Sequence, residues 1–244
     1  LLRGSICLAG DLPPAGKIVD RYIEATGGSD AYAKINNTIS TGKFEMPAQG
    51  IVMNITSYSA RPNLMYAVIE SAQLGKIERG VSRGGIAWEN SMMTGAAVKD
   101  GAEKEQMLID ATFNKMANWK KVYSKVENAG ITDVDGKECY KIIFTTPGGK
   151  TESFFFDSES GLIVRTERII HSQMGDIPSV ANLSDYREVD GIKVSFVTEV
   201  DVMGQTRKIT LEKIETNVEL PDGIFETPEE ISALLEKETE AEEE

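Results

Sequence analysis

Residues 134–149 read Val134-Asp-Gly-Lys-Glu-Cys-Tyr-Lys-Ile-Ile-Phe-Thr-Thr-Pro-Gly-Gly149, and Lys150-Thr-Glu-Ser-Phe-Phe-Phe-Asp-Ser-Glu-Ser-Gly161 follows. Each apolar run is closed by a glycine turn. Outward from this stretch the same punctuation continues. Glycines close turns at Gly136, Gly148, Gly161, Gly175, Gly191 and Gly204, 12 to 16 residues apart. Between them lie runs such as Tyr140–Phe144 and Leu162–Ile170, and two turns share the words Val134-Asp135-Gly136 and Val189-Asp190-Gly191. Asp-Gly between alternating apolar runs is the strongest short-range hairpin signal. The second half, from 122 to about 217, therefore predicts one up-and-down antiparallel meander. Its strands of about ten residues exceed the usual five or six.

The first half predicts a helix over 14–27, where Ile18, Val19, Tyr22 and Ile23 recur at helical spacing before Gly27-Gly28 stops them. Ser29 would cap a short second helix over 30–35. Strands follow at 38–46, 50–59, 63–70, 76–82 and 85–89, with Pro47 and Pro62 in turns where a missing N–H costs little. Residues 100–118 interrupt the sheet with strong helix formers and an apolar stripe at Met107, Leu108, Ala111 and Met116. Thr227-Pro228 opens a last helix, with Thr227 as cap and Pro228 first. Ile231, Leu234 and Leu235 give it an apolar face, and an unstructured acidic tail is expected beyond. The fold class is mainly β: a large curved antiparallel sheet of about eleven strands. Such a sheet does not stay flat. It coils into an unclosed β-barrel, with helices packed on the concave face as a lid.

The chain has 244 residues, 41% of them apolar, and carries a net charge of −13. Without a basic run, that charge repels phosphate backbones and excludes nucleic acid as a partner. Residues 1–10, Leu1 to Gly10, read as the remnant of a signal peptide, which implies export. A lipoprotein reading would acylate Cys7, although Ile6 stands where a lipobox wants a small residue. Residues 11–227 form a single barrel domain, and 228–244 the short helix and acidic tail. Cys139, alone inside a strand, reads as a small buried apolar residue.

Catalytic equipment is scarce. His171 is the only histidine, so zinc or copper centres built on several histidines are excluded. Asp133 with Asp135, and Asp185 with Glu188 and Asp190, offer carboxylates. No calcium-loop spacing accompanies them, and Asp135 and Asp190 stand where turns favour Asp. Gly27-Gly28, Gly84-Gly85 and Gly148-Gly149 lack phosphate-loop spacing. No metal or cofactor is implied. The suggestive set is apolar and adaptable: Met46, Met53, Tyr66, Trp88, Met92, Met93, Met107, Phe113, Phe154 and Phe156. Such side chains line pockets for irregular apolar ligands; each of them equally suits a filled core. Trp88 and the Met92-Met93 loop lead into the inserted helix, so 85–118 is the expected lid.

These features resemble the LolA/LolB-like superfamily, in particular the exported outer-membrane lipoprotein-sorting proteins. The matching phrases are Ala15–Gly28, Gly42–Gly50, Gly85–Gly95 and Leu183–Lys193, and the resemblance spans roughly 14–227. It implies an unclosed barrel with a helical lid over an apolar cavity that receives lipoprotein acyl chains or other lipids in the periplasm. It implies a non-enzymatic carrier, with envelope membrane proteins as further partners. The alternative is an accessory subunit that uses the same sheet as a docking surface. The family's carriers hold the lid with a strand arginine. No position here matches its motif; Arg61, Arg79 and Arg83 fall in the right region.

Overall fold

The computed structural model describes residues 12–172 and 175–243. The expected signal remnant and Cys7 lie outside the described residues. Helices α1 (Ala15–Ala25) and α2 (Ser29–Lys34) come first. Six strands follow: β1 (Asn37–Met46), β2 (Ile51–Ala60), β3 (Leu64–Ser71), β4 (Gly75–Val81), β5 (Ala87–Ser91) and β6 (Gly95–Val98). Two short helices, α3 (Gly101–Asp110) and α4 (Trp119–Val122), separate these from the second half. That half holds β7 (Lys125–Val134), β8 (Lys137–Thr145), β9 (Thr151–Asp157), β10 (Ile163–Ser172), β11 (Gly175–Val189), β12 (Ile192–Val202) and β13 (Gln205–Thr216). Helix α5 (Glu229–Glu243) closes the chain.

All thirteen strands join one antiparallel sheet in the order β6-β5-β4-β3-β2-β1-β13-β12-β11-β10-β9-β8-β7. The halves meet where β1 pairs with β13, Thr38 opposite Thr216. Strands β6 and β7 stand at the two ends of that order, so the barrel is unclosed. The expected count was about eleven. One added strand is β6, because Met92-Met93 sits at the tip of a hairpin rather than in a long loop. Asp135 and Gly136 have φ of 53° and 82°, and Asp190 and Gly191 have 48° and 82°. Positive φ at both central residues is the two-residue hairpin geometry whose twist matches the strands. These aspartates shape backbone.

Helix α1 buries Ile18, Val19 and Ile23 against the second-half strands, where Ile142, Phe144, Phe154 and Phe156 form the main core. Tyr22 meets Phe156 edge-on at 5.8 Å, and Phe144 meets Phe154 at 4.9 Å. Burying each such side chain contributes about 1.5–3 kcal/mol. The end of α1 is fastened to the β11–β12 hairpin: Lys193 N–H donates to the Thr26 carbonyl at 2.9 Å. Gly27 (φ 128°) lies so close that a Cβ there would sit 2.1 Å from the Gly191 oxygen. On the other side of the β8–β9 sheet, Cys139 packs with Val134 and Phe155 as a buried apolar residue.

Three helix boundaries differ from expectation. Gly28 (φ 80°), not Ser29, caps α2. The single helix expected over 100–118 ends at Asp110; turns occupy 111–118, and the short helix α4 follows from Trp119. Phe113 N–H leaves the helical ladder to bond the Pro62 carbonyl at 3.0 Å, and Asn114 takes φ 52°, which carries the Phe113 ring into the core. The closing helix starts at Glu229, with the Pro228 carbonyl accepting from Ile231 and Ser232. It continues through Glu243 and so takes in the acidic segment expected to be unstructured.

Candidate functional site

The inserted segment decides what the sheet can hold. Met65, Val81 and Ala87 stand opposite one another across β3, β4 and β5. They pack against Met107, Leu108 and Ala111, so this row faces α3. Successive strand residues point to opposite faces. Tyr66, Gly80 and Trp88, one residue out of phase, therefore form a row on the reverse face. There Tyr58 stacks on Tyr66 at 5.8 Å, and Tyr66 lies 6.0 Å from Trp88. The Trp88 indole N–H donates to Ser82 Oγ at 2.9 Å, and only 2% of the residue is exposed. The close pass over Gly80, where a Cβ would come within 2.8 Å of the indole, shows how the ladder fits together.

At its far end α3 is held by charge. Asp110, its last residue, accepts two bonds from one Arg168 nitrogen on β10, at 2.8 and 3.0 Å. Lys115 lies 3.4 Å from both Asp110 and Glu152. Gln106 bridges the same two carboxylates at 3.2 and 2.8 Å, and the Tyr123 hydroxyl donates to Glu152 at 2.6 Å. Burial by itself would raise the pKa of Asp110. The Lys115 and Arg168 charges outweigh that and hold it at about 2. Burial, with Glu152 beside it, pushes the Tyr123 hydroxyl well above its ordinary value. A carboxylate this depressed stays ionised at neutral pH. It is suited to holding structure rather than to exchanging protons.

Three cavities lie about the end of α3 and the turns that follow it. The largest, about 540 Å³, lies beside α3 and is lined by Leu108, Ile109, Phe113 and Val122, with Pro62 and Pro147 completing its apolar wall. A second of about 260 Å³ lies between Lys115, Phe154 and Arg168 on one side and Ala181, Leu183 and Val200 on the other. A third of about 330 Å³ lies between residues 110–115 and Thr38, Ser40 and Ser59. Lys115 lines both smaller cavities, so the space inside the sheet is partitioned by the chain that follows α3.

The residues expected at an apolar site are scattered accordingly. Phe113 lines the largest cavity and Phe154 the second. Met107, on α3, is buried against the sheet, and Phe156 is buried against α1. Met53 is buried and Met46 half-buried. Tyr66 and Trp88 lie on the reverse face, as above. Met92 and Met93, 81% and 91% exposed, project from the β5–β6 turn and are not covered by the inserted helix. Leu108, Ile109 and Val122 line the largest cavity but were missed: Leu108 reads as ordinary helix stripe, Ile109 lies inside the same helix, and Val122 reads as the first residue of the meander. Glu152 did carry a signal: a charge in phase with Phe154 and Phe156 on an inward row requires a buried partner. His171 meets Asp176 at 2.6 Å. Among the described residues no group of three or more His, Cys, Asp or Glu could hold a metal ion.

No family model matches the chain, and no curated protein matches it in sequence. Solved structures match its fold. A DUF1329 family protein from Desulfovibrio piger is 18% identical over 91% of this chain and 100% of the other, with a TM-score of 0.59. A LolA superfamily protein from Nitrosomonas europaea is 12% identical over 88% and 99%, also at 0.59. A candidate outer membrane lipoprotein-sorting domain from Vibrio parahaemolyticus is 9% identical over 86% and 95%, at 0.53. The chain shares its fold with these three proteins. At these identities the likeness concerns fold alone. Within this sheet the arginine bonded to the inserted helix is Arg168. Arg61 instead donates to the Ile35 and Tyr32 carbonyls at 2.8 and 2.9 Å, tying α2 to the β2–β3 turn. Arg79 acts on Asp110 only through its charge, and Arg83 is exposed.

Proposed function

We propose that this protein is an exported, non-enzymatic carrier that holds a lipoprotein acyl chain or a similar lipophilic ligand, with α3 as its lid. The observation that carries the reading is the apolar cavity of about 540 Å³ beside α3, walled by Leu108, Ile109, Phe113 and Val122 at the border of the main core. Ligand pockets commonly span about 300–1,000 Å³. Each methylene buried contributes about 0.8 kcal/mol, so a dozen would supply about 10 kcal/mol before ordering costs. The lid would open by parting Asp110 from Arg168, which lie at the edge of that segment. The dense Phe144–Phe154–Phe156 core favours the second reading, a docking surface with a filled interior, for the α1 side only. The exposed Met92-Met93 tip offers a contact for an envelope partner. Among the described residues no helix is long and apolar enough to cross a membrane.

Native mass spectrometry of the protein purified from a bacterial envelope tests the reading. A bound species of acyl-lipid mass is expected. It should be lost from Leu108→Trp, in which the half-buried Leu108 is enlarged to fill the cavity. A bare mass for the wild type under gentle ionisation would overturn the carrier.

A further inference from the structure

The largest cavity is apolar along one wall and positively charged at another. Its apolar surface is Leu108, Ile109, Phe113 and Val122, while Arg61 and Lys121 supply cations and Glu105 the only carboxylate among the lining residues. Glu105 is already engaged: its Oε1 accepts from the Thr146 hydroxyl at 2.8 Å and from Gly148 N–H at 2.9 Å. Arg61 spends hydrogen bonds on neutral carbonyls and stacks on Phe113, with its guanidinium carbon 5.5 Å from the ring centroid. None of the ion pairs among the described residues includes Arg61 or Lys121. Two cations without a carboxylate partner thus border an apolar cavity in a chain of net charge −13.

From this juxtaposition we propose that the cavity takes a single-chain amphiphile with an anionic head. The chain lies along Leu108, Ile109, Phe113 and Val122, and the head oxygens turn toward Lys121 and Arg61. The proposal rests on the carrier reading and narrows its ligand class. Beside apolar walls the attraction between unlike charges exceeds that in bulk water, and hydrogen bonds to an ionised acceptor are the stronger kind. A carboxylate and a phosphodiester share the required chemistry, an anionic oxygen at the end of one acyl chain. Local positive potential within an acidic surface also selects such a head over the rest of the protein.

The test uses the full chain at pH 8 and three probes with the same tail: palmitate, palmitoyl-lysophosphatidylglycerol and monopalmitoylglycerol. Titration calorimetry should show one or both anionic probes binding about three- to ten-fold more tightly than the neutral one, the range of one or two ion pairs to the exposed Arg61 and Lys121. Lys121→Gln should weaken the anionic probes about three-fold and leave monopalmitoylglycerol unchanged. Arg61 is left in place because it also holds α2. A preference for palmitate alone or for the lysophospholipid alone supports the site and identifies its head chemistry. Equal affinities for all three overturn the anionic head while the carrier reading stands. An anionic preference that survives Lys121→Gln overturns the placement of the head. If no probe binds, both readings fall.

Discussion

Replacing Asp110 by Asn keeps the shape of the side chain that ties α3 to the sheet and removes its charge. The carboxylate accepts two bonds from Arg168 and one from Gln106, with Lys115 at 3.4 Å. Its pKa falls from 3.8 to about 2, and the side chain is 20% exposed. At about 1.4 kcal/mol per pH unit, this depression corresponds to about 2–3 kcal/mol of folded-state stabilisation. The sign follows from the direction. A carboxylate depressed on folding stabilises the protein fully above its unfolded pKa and loses that contribution as pH falls through the folded value. The wild type should therefore exceed Asp110→Asn by about 2–3 kcal/mol at pH 7 in urea unfolding, and by only about half as much at pH 3. Arg168 retains Glu152 at 4.0 Å, which limits the loss from stranding its charge. Amide exchange along α3 should quicken in the variant, because the opening it reports is the one the ion pair opposes. A gap below about 0.5 kcal/mol at pH 7, the ordinary scatter of surface changes, would refute the latch. So would a gap of the same size at pH 3.

Three further outcomes follow from the packing. Gly27→Ala would place a methyl 2.1 Å from the Gly191 carbonyl at φ 128°, and should lower the unfolding free energy by at least about 2 kcal/mol; a melting temperature unchanged from wild type would contradict the contact. Trp88→Ala empties a nearly fully buried site on the face away from α3 and should cost about 3–5 kcal/mol. Where the variant stays folded, its affinity for an acyl probe should match the wild type; a selective loss of binding would return Trp88 to the cavity. Replacing both Met92 and Met93 by Ser should change stability by less than about 0.5 kcal/mol, since neither is covered, and a larger loss in urea unfolding would show a hidden packing role.

Much of the fold was legible because its signals are local. Asp135-Gly136 and Asp190-Gly191 specify positive φ wherever the chain goes, so the hairpins around them could be placed from composition alone. The inserted helix was legible in outline but not in length. Its break depends on Phe113 N–H finding the Pro62 carbonyl, 51 residues earlier in the chain. The candidate site was read less well. Of the apolar set, Phe113 and Phe154 line cavities, whereas Trp88 and Tyr66 lie on the face turned away from α3. A strand's side chains alternate, so the direction of an entire row is settled only by which of its two faces meets a helix.

The sequence by itself determined a long antiparallel meander, its tightest turns, an interrupting helix, and an acidic chain with one histidine and little catalytic equipment. These follow from period and from turn chemistry, which act within a dozen residues. The tertiary structure alone decided that Asp110 meets Arg168, 58 residues away, and that Glu152 lies inward between Lys115 and Tyr123. It alone decided that two cations border an apolar space beside α3. A cavity is the volume that several distant segments fail to fill. No window of sequence contains that quantity, because it arises only when the curvature of the sheet sets how far the inserted segment can descend.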